Sequence, residues 1–250
     1  MVFFHFESDI GKKRTLNEDS YGYCTSADGS VRFFIVADGM GGHNAGEIAS
    51  KLAVDTFIEH ASAFDATGIR ASSMPKRLSN FIKETVFVID RKIIKKARSG
   101  ENCFGMGTTA VICALYGRKA VIGNVGDSRA YIANRYTGIK QITVDHSYIE
   151  ELIRSGHLTE EEIENHPQKN AITRALGFLE EQGADVFVKD VARGERILLC
   201  SDGLTSMVSD EKISDIVNGN LFITLACKKL VKCANDNGGT DNITVAVIHP

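Results

Sequence analysis

Residues 31–46 read VRFFIVADGMGGHNAG, an apolar run that ends in an acidic residue and a glycine-rich segment. Branched and aromatic side chains dominate the run Arg32–Ala37, which favours a strand. Asp38 and Gly39 follow directly, and apolar residues then recur at helical spacing from residue 45 to about residue 64. The stretch therefore predicts a buried strand, a tight loop that begins with a carboxylate, and a helix.

Acidic residues lie at the ends of other apolar runs as well. They are Asp127 in the turn after residues 121–125, Asp202 after residues 197–200, and Asp241 before residues 243–248. Each of them, like Asp38, is followed by Gly, Ser or Asn, and the ordinary interpretation of such a dipeptide is a turn. If the four carboxylates instead converge, their mutual repulsion requires cations, and ligands made only of oxygen select Mg²⁺ or Mn²⁺. Sequence does not separate these two metals.

The strand and helix signals indicate an α+β protein. Strands are predicted at Arg32–Ala37, Thr108–Tyr116, Lys119–Val125, Arg129–Asn134, Arg196–Cys200 and Asn242–Ile248. Helices are predicted from Ala45 to about Phe64, from Pro75 through Ile93, after Asp145 with a capping box at Thr159 and Glu162, and from about Leu221 to Asn235. Tight turns between strands favour antiparallel sheets, and helices that come in blocks favour packed sheets with helices outside. No repeat or linker divides the sequence, so a single domain over 1–250 is expected.

Composition and charge exclude several classes of protein. The 250 residues are 43% hydrophobic and 24% charged, with a formal net charge of -3, which is typical of a folded soluble domain. A protein that binds a nucleic acid backbone would carry more positive charge. The longest apolar run, Ala110–Tyr116, is far shorter than the ~18 residues of a membrane span. Because the start offers neither a basic leader nor a cleavage site, we expect a cytoplasmic protein without nucleic-acid or membrane partners.

Other kinds of active site lack the residues they need. The six cysteines include no C-x-x-C pair, so reduced thiols are expected. No arginine lies six positions after any cysteine, as a cysteine-dependent phosphatase would require, and no H-E-x-x-H motif or Cys/His cluster supports zinc. Asn44 takes the place of the third glycine in a dinucleotide-binding fingerprint. The glycine-rich loop fits better with a metal site that uses the main-chain carbonyl of Gly39.

Eight short motifs, in order, cover nearly the whole chain. They are Ser8–Asp19 (SDIGKKRTLNED), Val36–Ser50 (VADGMGGHNAGEIAS), Gly105–Thr109 (GMGTT), Asn124–Arg129 (NVGDSR), Asp145–Ser147 (DHS), Thr173–Gly177 (TRALG), Leu199–Leu204 (LCSDGL) and Gly238–Thr244 (GGTDNIT). With these motifs the sequence resembles the metal-dependent protein serine/threonine phosphatases of the PP2C type, in their short bacterial form. The resemblance implies a four-layer α-β-β-α sandwich, two antiparallel sheets flanked by helices, with metal ions at one end and a flap segment at about 145–177.

The resemblance also implies a role for each acidic residue at a centre of two Mn²⁺ or Mg²⁺ ions. Asp38 would bridge both ions, and the carbonyl of Gly39 would bind one of them. Asp202 and Asp241 would hold the other ion, while Asp19 would act as a ligand or from just behind the ligands. Asp127, finally, matches the acid that members of this family use for a third, weaker ion.

The implied reaction needs no protein nucleophile, because a metal-bridged hydroxide would attack the phosphorus of phosphoserine or phosphothreonine. Arg14 matches a phosphate-clamping arginine, whose planar fork pairs with two phosphate oxygens. His43 is the candidate general acid for the departing oxygen, with a solvent-facing histidine at a helix entry as the equal alternative. Eukaryotic relatives carry their histidine directly after Asp-Gly, where Met40 stands here. The role of His43 is therefore inferred from its proximity.

The expected partners are phosphorylated proteins that a serine/threonine kinase of the same cell supplies, and the protein is expected to be a monomer. Phosphotyrosine and phosphohistidine stay open as substrates. Two competing hypotheses are a catalytically silent module that senses phosphate by binding it, and a dinuclear hydrolase that acts on phosphodiesters. In the flap, His146, His157 and His166 are expected to be surface residues.

Overall fold

The computed structural model describes residues 2–41, 45–99, 103–155, 168, 171–179 and 182–250. Within these residues the strands are β1 (Phe3–Asp9), β2 (Asp19–Thr25), β3 (Val31–Met40), β4 (Gly107–Thr108), β5 (Ala110–Tyr116), β6 (Lys119–Val125), β7 (Arg129–Asn134), β8 (Gly138–Gln141), β9 (Asp185–Asp190), β10 (Arg196–Cys200) and β11 (Ile243–His249). The helices in the same residues are α1 (Gly46–Ser62), α2 (Met74–Ser99), α3 (Tyr148–Arg154), α4 (Asp202–Thr205), α5 (Asp210–Gly219) and α6 (Ile223–Asp236).

The strands form two sheets that pack face to face. One sheet has the order β1-β11-β10-β7-β8, and the other has the order β2-β3-β5-β6-β9, with β4 paired to β3. The strand pairs are antiparallel, as the tight turns predict. At the end of β3, Asp38 is paired with Asp19 of β2. The topology thus brings two of the predicted site residues side by side.

Strand β3 shows why the sandwich has four layers. Successive side chains of a strand point to opposite faces. Phe33 packs with Phe57 of α1 in the core under the helices, whereas Phe34 lies with Leu199 of β10 in the core between the sheets. A third core joins β10 and β11 to α5 and α6. The predicted α-β-β-α fold class is confirmed, and residues 33–37 of β3 are continuously apolar because both faces of the strand are buried there.

The strands that sequence reasoning missed share one property. β1, β2, β8 and β9 are the outer strands of the two sheets, and they are only partly buried along most of their length. An outer strand faces solvent along one side, so it tolerates polar residues and lacks a strong apolar pattern. The predicted inner strands are confirmed, except that the segment predicted at Thr108–Tyr116 is divided between β4 and β5.

The helix predictions are confirmed for α1, α2 and α6, while α4 and α5 were not anticipated. The helical region expected after Asp145 is present as α3, and its cap is Ser147, whose Oγ accepts a hydrogen bond from the Glu150 N–H at 3.2 Å. The capping box predicted at Thr159 and Glu162 lies outside the described residues. None of the helices in the described ranges combines the length and the apolar character needed to cross a membrane.

Candidate metal centre

Asp38, at the end of β3, is held in place by hydrogen bonds of its main-chain N–H and carbonyl groups. Its N–H donates to Thr109 Oγ1 at 3.0 Å, and its carbonyl accepts from the Thr109 N–H and from Thr108 Oγ1, each at 2.8 Å. Thr109 is fixed in turn by a 2.7 Å hydrogen bond between its hydroxyl and that of Ser128. Sequence reasoning did not assign a role to either threonine. The backbone on both sides of the Asp38 side chain is therefore set by the adjoining β4–β5 segment.

Gly39 is required by close packing. A Cβ atom added there would lie 2.2 Å from the carbonyl oxygen of Gly46 and 2.6 Å from that of Glu18, both main-chain atoms that cannot move aside cheaply. The Gly39 N–H donates to the Glu18 carbonyl at 3.1 Å. The start of α1 thus lies directly against the end of β3, which brings main-chain atoms into the candidate site.

Asp19 and Asp202 are joined through Ser201. The Ser201 hydroxyl donates to Asp19 Oδ2 at 2.8 Å and accepts from the Thr244 N–H at 3.0 Å. Ser201 is fully buried and comes directly before Asp202, the first residue of α4. The hydroxyl is thus committed to positioning the neighbouring acids.

Asp241 and Arg14 form an ion pair in which Arg14 Nη2 lies 2.8 Å from Asp241 Oδ2. Asn242, which sequence reasoning missed, fastens the loop that carries Arg14. Its amide donates to the carbonyls of Ile10 and Leu16 at 2.9 and 3.0 Å, and its Oδ1 accepts from the Glu18 N–H at 2.8 Å. Arg14 Nη1 also lies 3.8 Å from Glu18 Oε2, and 47% of the arginine side chain is exposed beside the carboxylates.

Burial, together with repulsion between neighbouring charges, raises the pKa values of the carboxylates in this region. Burial, followed by the nearby charges of Asp19, Asp202 and Asp127, raises the pKa of Asp38 well above its ordinary range. Burial raises the pKa of Asp19 to about 7 and that of Asp127 to about 7, and it also raises the pKa of Asp202, with Asp241 adding repulsion. The structure therefore brings together all five predicted acids: Asp19, Asp38, Asp127, Asp202 and Asp241.

The chemistry of this donor set fits divalent cations. Asp19, Asp127 and Asp202 each have a buried carboxylate oxygen without a hydrogen-bond partner in the described part of the chain. A buried acceptor without a partner is costly, and a hard cation would satisfy it. Within the described ranges, however, no group of three or more His, Cys, Asp or Glu side chains could hold an ion by itself. The donors that fit are therefore mixed, with carboxylates supplemented by main-chain carbonyl and water oxygens, as is usual for Mg²⁺.

The turn that carries Asp127 is held by a histidine. The Gly126 N–H donates to His146 Nδ1 at 3.1 Å, and the His146 N–H donates to the Gly126 carbonyl at 3.0 Å. His146 Nε2 lies 3.2 Å from Asp185 Oδ2, and burial lowers the pKa of this imidazole. The expectation that His146 is a surface residue is wrong, because its ring is wedged between this turn and β9, where 4% of the residue is exposed.

Three other histidines were considered in the sequence, and the structure does not describe them. His43, His157 and His166 lie outside the described residues. What the structure does describe is the base of the predicted flap, where the His146 carbonyl accepts from the Thr173 N–H at 2.8 Å and the Ala171 carbonyl accepts from the Tyr148 N–H at 2.9 Å. The two ends of that segment are thus joined beside Asp127.

Comparison with known proteins agrees with this geometry. The family model described as protein phosphatase 2C matches residues 8–243. A serine/threonine phosphatase stp of Listeria monocytogenes is 36% identical over 243 residues, covering 97% of this chain and 94% of the relative.

Solved structures are similar over the whole chain. The serine/threonine phosphatase of S. agalactiae has a TM-score of 0.91 at 32% identity and covers 100% of this chain and 99% of its own. The catalytic domain of the phosphatase PstP, solved in complex with 2 manganese ions, has a TM-score of 0.84 at 29% identity and covers 99% and 97% of the two chains. The chain belongs to the protein phosphatase 2C family of serine/threonine phosphatases.

Proposed function

We propose that this phosphatase releases phosphate from phosphoserine and phosphothreonine in proteins, at a centre of two Mn²⁺ or Mg²⁺ ions. Asp38 would contact both ions, the Gly39 carbonyl one of them, and Asp202 and Asp241 the other. Asp19 would contribute as a ligand or through its hydrogen bond from Ser201. The observation that best supports this proposal is the burial of Asp38 among three further carboxylates, each with an oxygen that lacks a partner in the described residues.

When bound, two such cations supply a Lewis-acidic centre that lowers the proton affinity of water and neutralises the phosphate. This chain's residues supply the positioning. Thr109 fixes the backbone of Asp38, so the carboxylate does not have to be reorganised during the reaction. Arg14 presents a guanidinium at the open side of the carboxylates, where it would bind the phosphate oxygens and orient the ester. Arg14 would keep its ion pair with Asp241 while it binds the phosphate.

A proton must also reach the departing serine or threonine oxygen. His43 is our candidate for this step, because an imidazole titrates close to neutral pH and the residue follows the Asp38–Gly39 loop in the sequence. If His43 is the general acid, kcat should fall at high pH as the imidazole loses its proton, and this fall should disappear in His43→Gln. An unchanged profile would leave the proton to solvent.

The wider expectations are part of the same proposal. Asp127 would hold a third, weaker ion, supported by its unpartnered buried oxygen. The chain would act as a single catalytic domain and a monomer in the cytoplasm, with a flap at about 145–177 beside the site. Its substrates would be proteins phosphorylated by a serine/threonine kinase of the same cell.

Release of phosphate from an aryl monophosphate tests the metal centre. With Mn²⁺ we expect turnover, and we expect its loss with EDTA and with Asp38→Asn, because that variant removes the carboxylate shared by both ions. Asp55→Asn, a surface change in α1, is the matched control and should keep full activity. Turnover unaffected by EDTA would contradict the two-metal centre. Phosphate binding without turnover would favour the sensing module, and preference for a diester would favour the phosphodiesterase.

A further inference from the structure

A groove lies directly beside the candidate metal centre, on the side of α3. It has a volume of about 280 Å³ and shares Asp127 and Asp202 with the centre. The first turn of α3 and the end of α4 form its walls. Because the groove is continuous with the carboxylates, a phosphorylated side chain bound at the centre would place neighbouring residues of its own chain within reach of these walls.

The walls combine apolar and acidic character. Ile149 and Ile153, one turn apart on α3, line the groove together with Glu150. Ile153 is 42% exposed, so apolar surface remains open there. Such a surface suits a long side chain with a methylene stem and a polar end, since the stem covers apolar atoms while the end stays hydrated.

The charges that face the groove are unequal in availability. Asp127 and Asp202 belong to the proposed metal centre, so their charge would be used there. Asp145 is engaged by Arg129, whose Nε and Nη2 donate to its carboxylate at 2.7 to 3.0 Å. Gln141 adds a further donor to Asp145 at 2.9 Å. The Arg129–Asp145 pair therefore presents no net charge to a substrate side chain in the groove.

Among the acidic residues that line the groove, Glu150 is the one whose charge is not engaged by a partner in the described residues. Within the described residues its carboxylate forms neither a hydrogen bond nor an ion pair, and Arg154 and Arg129 act on it only through space. A glutamate in the first turn also has a structural explanation, because it complements the helix dipole. Glu151 occupies the same first turn but does not line the groove, so it experiences the dipole without facing the groove.

We propose that this groove is a subsite for a lysine or arginine side chain that lies close in sequence to the phosphorylated residue of the substrate. The subsite rests on the proposed function. Ile149 and Ile153 contact the stem of the bound side chain, and Glu150 pairs with its cationic end. A neutral apolar side chain would bury the Glu150 carboxylate without a partner, and an acidic one would be repelled, so both are disfavoured.

A set of phosphothreonine peptides tests the subsite. Each peptide carries Lys, Ala or Glu at one position, from three residues before to three residues after the phosphorylated residue. We expect Lys to raise kcat/KM at one position about three- to fivefold over Ala, the size of a partly exposed ion pair. Each value is divided by the kcat/KM of the same enzyme for an aryl monophosphate. Glu150→Gln should abolish this preference, Glu150→Lys should transfer it to Glu, and Glu151→Gln should keep it.

The outcomes separate the subsite from the phosphatase itself. A Lys preference that persists in Glu150→Gln, or equal rates for all peptides in the unchanged enzyme, overturns the subsite while leaving the activity in place. If Glu150→Gln instead alters the Mn²⁺ dependence equally for every peptide, Glu150 serves a metal ion and the subsite is wrong. Absence of metal-dependent turnover of both the aryl phosphate and the peptides removes the proposed function, and the subsite with it.

Discussion

At the scale of single residues, the candidate site depends on side chains that hold the acids in place. The Ser201 hydroxyl positions Asp19, and Asn242, the residue next to Asp241, holds the loop that carries Arg14. Ser201 is itself held in place, because its hydroxyl also accepts a hydrogen bond from the Thr244 N–H of β11. Asp19 is therefore supported by a polar group that is itself hydrogen-bonded, and Asp241 accepts from the N–H of a residue that is hydrogen-bonded in turn, which is how a site keeps its geometry.

Arg14→Ala should weaken substrate binding more than the chemical step. The side chain is half exposed, and in the proposed function its guanidinium would contact the phosphate from the start of the reaction, so its loss would remove ground-state binding. We expect KM for an aryl monophosphate to rise about tenfold, equivalent to about 1.4 kcal/mol. Lys13→Ala removes the same charge from the neighbouring exposed position and should leave KM within a factor of two. An unchanged KM in Arg14→Ala would exclude Arg14 as the phosphate clamp.

At the scale of elements, helix α2 supports the site from a distance. Asp90 of α2 is buried, and its Oδ1 accepts from the N–H groups of Gly177 and Leu179 at 2.7 and 3.2 Å. The residue before this loop, Leu176, exchanges two backbone hydrogen bonds with Thr108, which in turn bonds the Asp38 carbonyl. The helix, the end of the predicted flap segment and the strand that carries Asp38 thus form one continuous hydrogen-bonded support.

Asp90→Ala should destabilise the protein, because the buried N–H of Leu179 and the partly buried N–H of Gly177 lose their acceptor. We expect the free energy of unfolding to fall by about 2 to 3 kcal/mol, measured by urea denaturation. Glu84→Ala, at an exposed position of the same helix, is the control and should change it by less than about 0.5 kcal/mol. A loss in Asp90→Ala no larger than in the control would show that the loop finds other partners.

At the scale of the whole molecule, the site lies where the ends of both sheets meet. Asp19 and Asp38 come from the sheet that contains β3, whereas Asp202 and Asp241 adjoin β10 and β11 of the other sheet. Asp127 lies in the turn that connects β6 of the first sheet to β7 of the second. Packing the two sheets therefore concentrates negative charge in a buried region. Metal-free protein pays for this concentration in stability, and cation binding would relieve it.

The pH dependence of stability should reveal this strain. Burial raises the folded-state pKa of Asp19 and Asp127 to about 7, above an unfolded value of roughly 3.9. Between those values the folded state binds more protons than the unfolded one, so the free energy of unfolding falls as pH rises from about 4 to about 7. Cations need the deprotonated form and should stabilise more at high pH.

We therefore expect Mn²⁺ to raise Tm more at pH 8 than at pH 5. At a concentration 100 times Kd, the stabilisation at pH 8 should be about 2.7 kcal/mol, or roughly 5 to 10 °C, measured by differential scanning fluorimetry. Asp38→Asn should reduce this increment, and Asp55→Asn should keep it. An increment that is equal at both pH values would argue against binding through these carboxylates.

Much of the architecture was predictable because the inner strands are buried on both faces and carry a strong apolar pattern. The inner strands and the three long helices follow from that pattern, and the carboxylates at strand ends follow from the motifs. The outer strands were missed because one edge of each is solvated, which weakens the pattern. Ser201, Asn242 and Thr109 were missed as supports because a hydroxyl or amide carries no signal until its partner is known.

By itself the sequence determined the family and the sandwich fold, and it predicted the five candidate acids, because each depends on local residue types in a fixed order. Only the tertiary structure decided that Asp19 is held by Ser201, that His146 is buried behind Asp127, and that Glu150 faces a groove while Glu151 does not. These facts depend on contacts between residues far apart in the chain. No local pattern encodes such distances, since they arise only when the two sheets and the segments beside Asp127 pack together.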